Sequence, residues 1–140
     1  MAGMVRITAY DHVGIRVSNR ERALRFYEKL GFAIDPEFTD ERVAEIVTAG
    51  GLRINLIFNA VERPLAYNIL LDDPVKLPGY THAAFIVDQL QDVIDWATSE
   101  DVAVTEGPVD WGRRLTCFLR DPDGNVLEFN QLIDRAQRRR

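Results

Sequence analysis

The sequence predicts an α+β fold made of two βαβββ modules. Three observations carry this expectation. The chain repeats itself at an offset of 70 residues, each copy passes from a period-two apolar run to a helical one, and glycine turns fall at matching places. At that offset His12 lies on His82, and DHVGIRVSNRERALRFYEKLGFAI lies without a gap on THAAFIVDQLQDVIDWATSEDVAV.

The elements follow in order. Each copy opens with a His-led apolar run, read as a strand. In the first copy Ser18 precedes Glu21 by three, the spacing of a capping box. Ala23, Phe26, Tyr27 and Leu30 then recur at helical spacing, and Gly31 supplies a stop. In the second copy Asp88 and Gln91 form the capping pair, and Leu90, Val93, Ile94 and Ala97 form the apolar stripe. Phe32-Ala33-Ile34 and Val102-Ala103-Val104 read as second strands. Residues 42–47 and 114–119 read as third strands. A shift of 73 then sets Gly51 on Gly124 and LRINLIF on NVLEFNQ, the fourth strands, with Asn55 opposite Glu128. The modules span 8–58 and 80–133 of a single domain covering 1–140. The connector from Asn59 to Tyr80 carries Pro64, Pro74 and Pro78, and residues 1–9 are expected to add an edge strand.

Bulk properties narrow the function. Seventeen Lys and Arg against 22 Asp and Glu leave a net charge of −5, which is no footprint for nucleic acid. The run Arg138-Arg139-Arg140 reads as a solvated tail. Cys117 is the single cysteine, so an intrachain disulfide and a cysteine-based zinc site are excluded. The opening MAGMVRITAY lacks the apolar stretch of a signal peptide, and no segment approaches the roughly 18 apolar residues of a membrane span. A soluble, cytoplasmic protein is expected.

Strand alternation gathers the chemistry. In the opening strand Val13, Ile15 and Val17 belong to the core face, leaving His12, Gly14 and Arg16 on the other. In the strand from Leu52, the residues Ile54, Leu56 and Phe58 oppose Arg53, Asn55 and Ile57. His82 shares a face with Ala84 and Ile86, while Phe85 and Val87 go with the core. Leu127 and Phe129 oppose Val126, Glu128 and Asn130. Taken singly, a strand glutamate belongs on a solvated outer face. Here four equivalent places carry His12, Asn55, His82 and Glu128, and the repeat maps the chain's two histidines onto one another. Two imidazoles and a carboxylate suit Fe, Ni, Co, Mn or Zn as a divalent ion, with positions left for substrate.

These residues carry a resemblance to the vicinal oxygen chelate superfamily, which includes glyoxalase I, extradiol dioxygenases, fosfomycin-resistance thiol transferases, methylmalonyl-CoA epimerase and bleomycin-resistance proteins. It runs from Asp11 to Gln131, through DHVGIRV, ALRFYEKLGF, EGPVDWG and the most specific stretch, DPDGNVLEF. The resemblance implies that the two modules form a half-open barrel around one metal, with ligand positions at His12, Asn55, His82 and Glu128. It also implies a homodimer, in some members with each site drawn from both subunits.

Departures from the family sort its chemistries. The metal-free bleomycin-binding branch lacks these ligands. Glyoxalase I resembles this chain with a carboxylate where Asn55 stands, and an amide takes no proton as a general base. Glu128 is then one candidate base. Glu45 is another, by resemblance to the proton-abstracting glutamate of the CoA epimerases; an exposed strand carboxylate is the alternative for Glu45. Extradiol enzymes place a further histidine near the substrate, and this chain has none to give. A thiol transferase needs cations, for which Arg16, Arg53, Arg113 and Arg114, with Trp111 beside the last two, are candidates or plain surface residues. The resulting expectation is a glyoxalase-I-like lyase or isomerase of a small oxygenated substrate, in which the metal stabilises an enolate or oxyanion. Glutathione is a candidate co-substrate. A thiol transferase, a dioxygenase and a non-catalytic protein that sequesters an antibiotic are the alternatives.

Overall fold

A computed structural model describes residues 3–63 and 66–134; Pro64 and the run Arg138-Arg139-Arg140 lie outside them. The chain divides into two units, residues 1–60 and 61–140. The first contains β1 (Val13–Arg16), α1 (Arg20–Lys29), β2 (Ala33–Ile34), a short 3-10 turn (Pro36–Phe38), β3 (Val43–Val47) and β4 (Arg53–Ile57). The second contains β5 (His82–Ile86), α2 (Leu90–Ser99), β6 (Val104–Asp110), β7 (Arg114–Arg120) and β8 (Val126–Leu132). The sheet orders are β1-β4-β3-β2 and β5-β8-β7-β6, the same topology twice. In each, the first strand lies parallel to the last and the remaining pairs are antiparallel.

Alternation decides which face each unit buries. Ile54, Leu56, Ala44 and Ile46 are at most 1% exposed and register with one another across β3 and β4. Ala23, Phe26 and Tyr27 form the buried stripe of α1, and Tyr27 stands edge-on to Phe26 and Phe32. In the second unit Leu127, Phe129, Cys117 and Leu119 lie opposite Leu90, Val93 and Ala97 of α2, which packs on β7 and β8. Each fully buried Ile or Leu contributes roughly 1.5–3 kcal/mol. The apolar surroundings push the Cys117 thiol up from its ordinary pKa.

Several details differ from expectation. Residues 3–9 form no strand. Asn19, rather than Ser18, caps α1, its Oδ1 accepting the Arg22 N–H at 3.0 Å. At the start of α2, Asp88 and Gln91 are not the capping pair. Gln131 of β8 reaches across, its Oε1 accepting the Leu90 N–H at 2.8 Å, while Gln91 turns to Asp95. β6 begins at Val104 and continues through Glu106 to Asp110, so the second strand of this module starts two residues late and runs longer. Val13 lies 41% exposed at the start of an edge strand, and Phe85 and Val87 are only half-buried beside the edge of the second sheet.

The helix stops repeat with different residues. Gly31, at φ +102°, lets Phe32 N–H reach Tyr27 O and Gly31 N–H reach Glu28 O. Asp101, at φ +55°, holds the equivalent place after α2, with Val102 N–H donating to Ala97 O and Asp101 N–H to Thr98 O.

The turn before β8 is built on Asp121, whose Oδ1 accepts the N–H groups of Asp123 and Asn125. Gly124, at φ +86°, closes it, and a Cβ there would fall 1.9 Å from Ala66 O. The connector is fastened to this turn: Asn68 Nδ2 donates to Gly124 O, and Asp72 takes both guanidinium ends of Arg120 at 2.6 and 2.7 Å. That paired guanidinium holds the Asp72 carboxyl well below the usual carboxylate range. Gly124→Ala is therefore expected to lower unfolding stability by about 3 kcal/mol in urea melts, from the strained φ together with the clash. Gly31→Ala, where a Cβ meets open space, is expected to cost about 1 kcal/mol.

Candidate functional site

The polar faces of the two sheets carry the candidate residues, and each sheet presents its own set. In the first, β1 and β4 register Gly14 against Asn55, and β3 places Glu45 on the other side of Asn55. Asn55 Oδ1 is buried and has no hydrogen-bond partner among the described residues. Such an orphaned acceptor costs roughly 1–3 kcal/mol unless something else meets it. His12 stands one residue before β1, with Nδ1 2.6 Å from Asp11 Oδ2. An ionised carboxylate only accepts, so a neutral ring in this contact carries its N–H at Nδ1 and its lone pair at Nε2.

Glu45 is not an exposed strand carboxylate: only 7% of it is accessible. Its Oε2 accepts from Arg53 Nη1 at 2.6 Å, and the same Nη1 reaches Asp35 Oδ2 at 2.9 Å. Asp35 comes from the residue that caps the 3-10 turn, where its other oxygen accepts the Glu37 N–H. The Arg53 guanidinium, followed by that backbone N–H, holds the Asp35 carboxyl below its ordinary pKa, and the two carboxylates push Arg53 up. Arg53 is thus committed to two acids, which weakens its candidacy as a cation for an anionic substrate. Arg16 donates from Nε to Asn59 Oδ1.

In the second sheet, the register sets Ala84 and Phe118 on either side of Glu128. These are the repeat equivalents of Gly14 and Glu45. His82 Nε2 lies 3.3 Å from Glu128 Oε1, and Nδ1 lies 2.8 Å from Thr81 Oγ1. Phe118 packs edge-on against the imidazole at 5.5 Å. The face that holds Glu128 is not solvated, since Val126 and Asn130 beside it are buried. Glu128 Oε2 accepts from Asn130 Nδ2 at 2.6 Å, and Asn130 Oδ1 accepts from Thr116 Oγ1 at 2.6 Å. Trp111, Arg113 and Arg114 lie exposed at the β6–β7 hairpin and are not drawn into this network.

Within each sheet the donors suit a divalent ion. Two ligand atoms at about 2.1 Å from one ion lie roughly 3 Å apart, which the His82–Glu128 separation approaches. The amide oxygen of Asn55 is a hard donor in want of a partner. Among the described residues, no three His, Cys, Asp or Glu side chains gather into a metal-holding group. Thr116, Asn130, Asp11 and Asp35 were not singled out from the sequence. Asn130 shared Glu128's parity and Asp11 adjoined His12, but Thr116 needed the β7–β8 register.

The model of the Glyoxalase/Bleomycin resistance protein/Dioxygenase superfamily matches residues 9–129. The chain belongs to this superfamily. It is 31% identical over 134 residues to virulence protein STM3117 of Salmonella typhimurium, covering 91% of this chain and 86% of that one. It is 30% identical over 121 residues to lactoylglutathione lyase of Haemophilus influenzae, covering 84% and 88%. Among solved structures, the antibiotic-binding protein TnmS3 from Streptomyces sp. CB03234 superposes with a TM-score of 0.67 at 21% identity, over 93% of this chain and all of that one, which shows the shared fold. Among the described residues no helix is long and apolar enough to cross a membrane.

Proposed function

We propose that the protein is a metal-dependent, glyoxalase-I-like lyase or isomerase that moves a proton beside a carbonyl of a small oxygenated substrate. His12, Asn55, His82 and Glu128 would hold one divalent ion, of Zn, Ni, Co, Mn or Fe. The observation that carries this reading is the facing pair of His82 Nε2 and Glu128 Oε1, 3.3 Å apart, supported by the orphaned oxygen of Asn55. When bound, such an ion supplies positive charge for the oxygen that becomes anionic as the proton leaves.

The chain's own residues do the rest. Glu45 takes the proton: Arg53 holds its Oε2, which leaves Oε1 for the substrate, and it sits one strand from Asn55. Asp11 and Thr81 orient the two imidazoles through Nδ1. Trp111, Arg113 and Arg114 on the exposed hairpin would meet substrate from outside. The likeness to lactoylglutathione lyase makes a glutathione hemithioacetal the first substrate to test. The assembly is a homodimer, in which His12 and Asn55 of one subunit join His82 and Glu128 of the same chain or of its mate.

Elemental analysis of purified protein, followed by a panel of hemithioacetals, acyl-CoAs, catechols and epoxides, tests this. About one divalent ion per chain is expected, with turnover of a hemithioacetal or acyl-CoA lost to chelator and restored by metal. Protein without stoichiometric metal that binds an antibiotic regardless of chelator would overturn the reading in favour of sequestration. Iron with oxygen consumption on a catechol would replace it by a dioxygenase.

A further inference from the structure

Glu128 belongs to a directed chain of hydrogen bonds that the sequence did not announce. An ionised carboxylate accepts and never donates, so the Asn130 side chain must turn its NH2 toward Glu128. Its Oδ1 then faces Thr116, whose hydroxyl must donate. Both contacts are 2.6 Å, and Thr116 and Asn130 are only 2% and 5% exposed. Each element of the chain comes from the pairing of β7 with β8, where Thr116 registers against Asn130.

The consequence falls on the carboxylate. Its Oε2 is held by a buried amide that is itself held by a buried hydroxyl. Its Oε1 is the oxygen turned to His82 Nε2. We infer that Asn130, oriented by Thr116, is a positioning residue that makes Glu128 a one-oxygen ligand and spares a coordination position for substrate. This rests on the metal reading above. The physical reason is that a free carboxylate rotates and offers both oxygens to a divalent ion, whereas one whose second oxygen is tied down offers one. Ordering the side chain before the ion arrives also removes an entropic cost from binding. Among the described residues the first sheet has no counterpart at Asn55, whose oxygen meets no hydrogen-bond donor there.

The experiment uses Co(II), whose visible spectrum reports coordination number, added to metal-stripped full-length protein. Asn130→Leu and Thr116→Val are compared with wild type and with Thr116→Ser, each checked for folding by circular dichroism. Asn130→Leu is expected to weaken Co(II) binding by roughly 10–100-fold, the range for groups that orient a metal ligand, with a shifted d–d spectrum. Thr116→Val, which keeps the fold by its similar shape, is expected to weaken it several-fold, and Thr116→Ser to restore both affinity and spectrum. A buried pair that served only the fold would lower melting temperature and leave Co(II) affinity and spectrum unmoved in the folded variants, and that result overturns the inference alone. Wild-type protein that binds no Co(II) removes the metal reading and this inference together.

Discussion

Glu128→Gln is expected to weaken metal binding by about a thousandfold and to remove measurable turnover, while the protein stays folded. The change keeps shape and takes away the single anionic donor of the set. An amide oxygen in its place still accepts from Asn130 Nδ2, so the buried Thr116–Asn130 pair keeps its partner and the sheet is undisturbed. What is lost is charge: a divalent ion facing only imidazoles and amides is held far less tightly than one facing a carboxylate, which exceeds the 10–100-fold typical of orienting groups. His82→Ala should act in the same direction, because its Nε2 and Glu128 Oε1 address one point. The double variant should then be little worse than either single one, since residues that serve one ion act as a unit. Equilibrium dialysis with Co(II) and steady-state rates measure both. Full metal content in a folded Glu128→Gln protein would remove Glu128 from the ligand set.

Much of the framework was legible before any coordinates. The two offsets of the repeat map each residue of one half onto its equivalent in the other. Gly14 lies beside Asn55, and their equivalents at shifts of 70 and 73, Ala84 and Glu128, lie beside one another in the same way. Period-two alternation separates Ile54 and Leu56 from Asn55, and Leu127 and Phe129 from Glu128, because a residue's parity follows from the pleat alone. What stayed hidden depends on contacts between distant segments. Nothing local says that Gln131 caps a helix 41 positions earlier, or that Asp35, from a 3-10 turn, shares Arg53 with Glu45. Ser18 and Asn19 are both good caps, and only backbone geometry chooses between them. Arg53 reads as a candidate cation for substrate because sequence spacing gives no hint of Asp35 and Glu45 folded against it. The expected edge strand in residues 3–9 fails for a related reason: apolar alternation makes a segment eligible for a sheet but supplies no partner.

Glu45 and Arg53 separate proton transfer from scaffold, because the two roles predict opposite patterns. If Glu45 removes the substrate proton, Glu45→Gln should cost roughly 10²–10⁴ in kcat, the range for a positioned base, with Co(II) affinity close to wild type. The amide still accepts from Arg53, and Asp35 still pairs with it, so melting temperature should change little. Arg53→Ala should do the reverse to stability. It leaves Glu45, 7% exposed, and Asp35 facing one another's charge without the cation that joins them. The pH dependence carries the sign. Asp35 has its folded pKa depressed, chiefly by Arg53, so its contribution is present above the ordinary carboxylate range and is lost as pH falls through the folded value. Wild type should therefore melt well above Arg53→Ala at pH 7, and the gap should narrow as the solution is acidified below the usual aspartate pKa. A Glu45→Gln protein that keeps both its metal and its rate would move the proton to another base. Glu128, the other candidate base, is the poorer choice, since both its oxygens already have partners, one at Asn130 and one at His82.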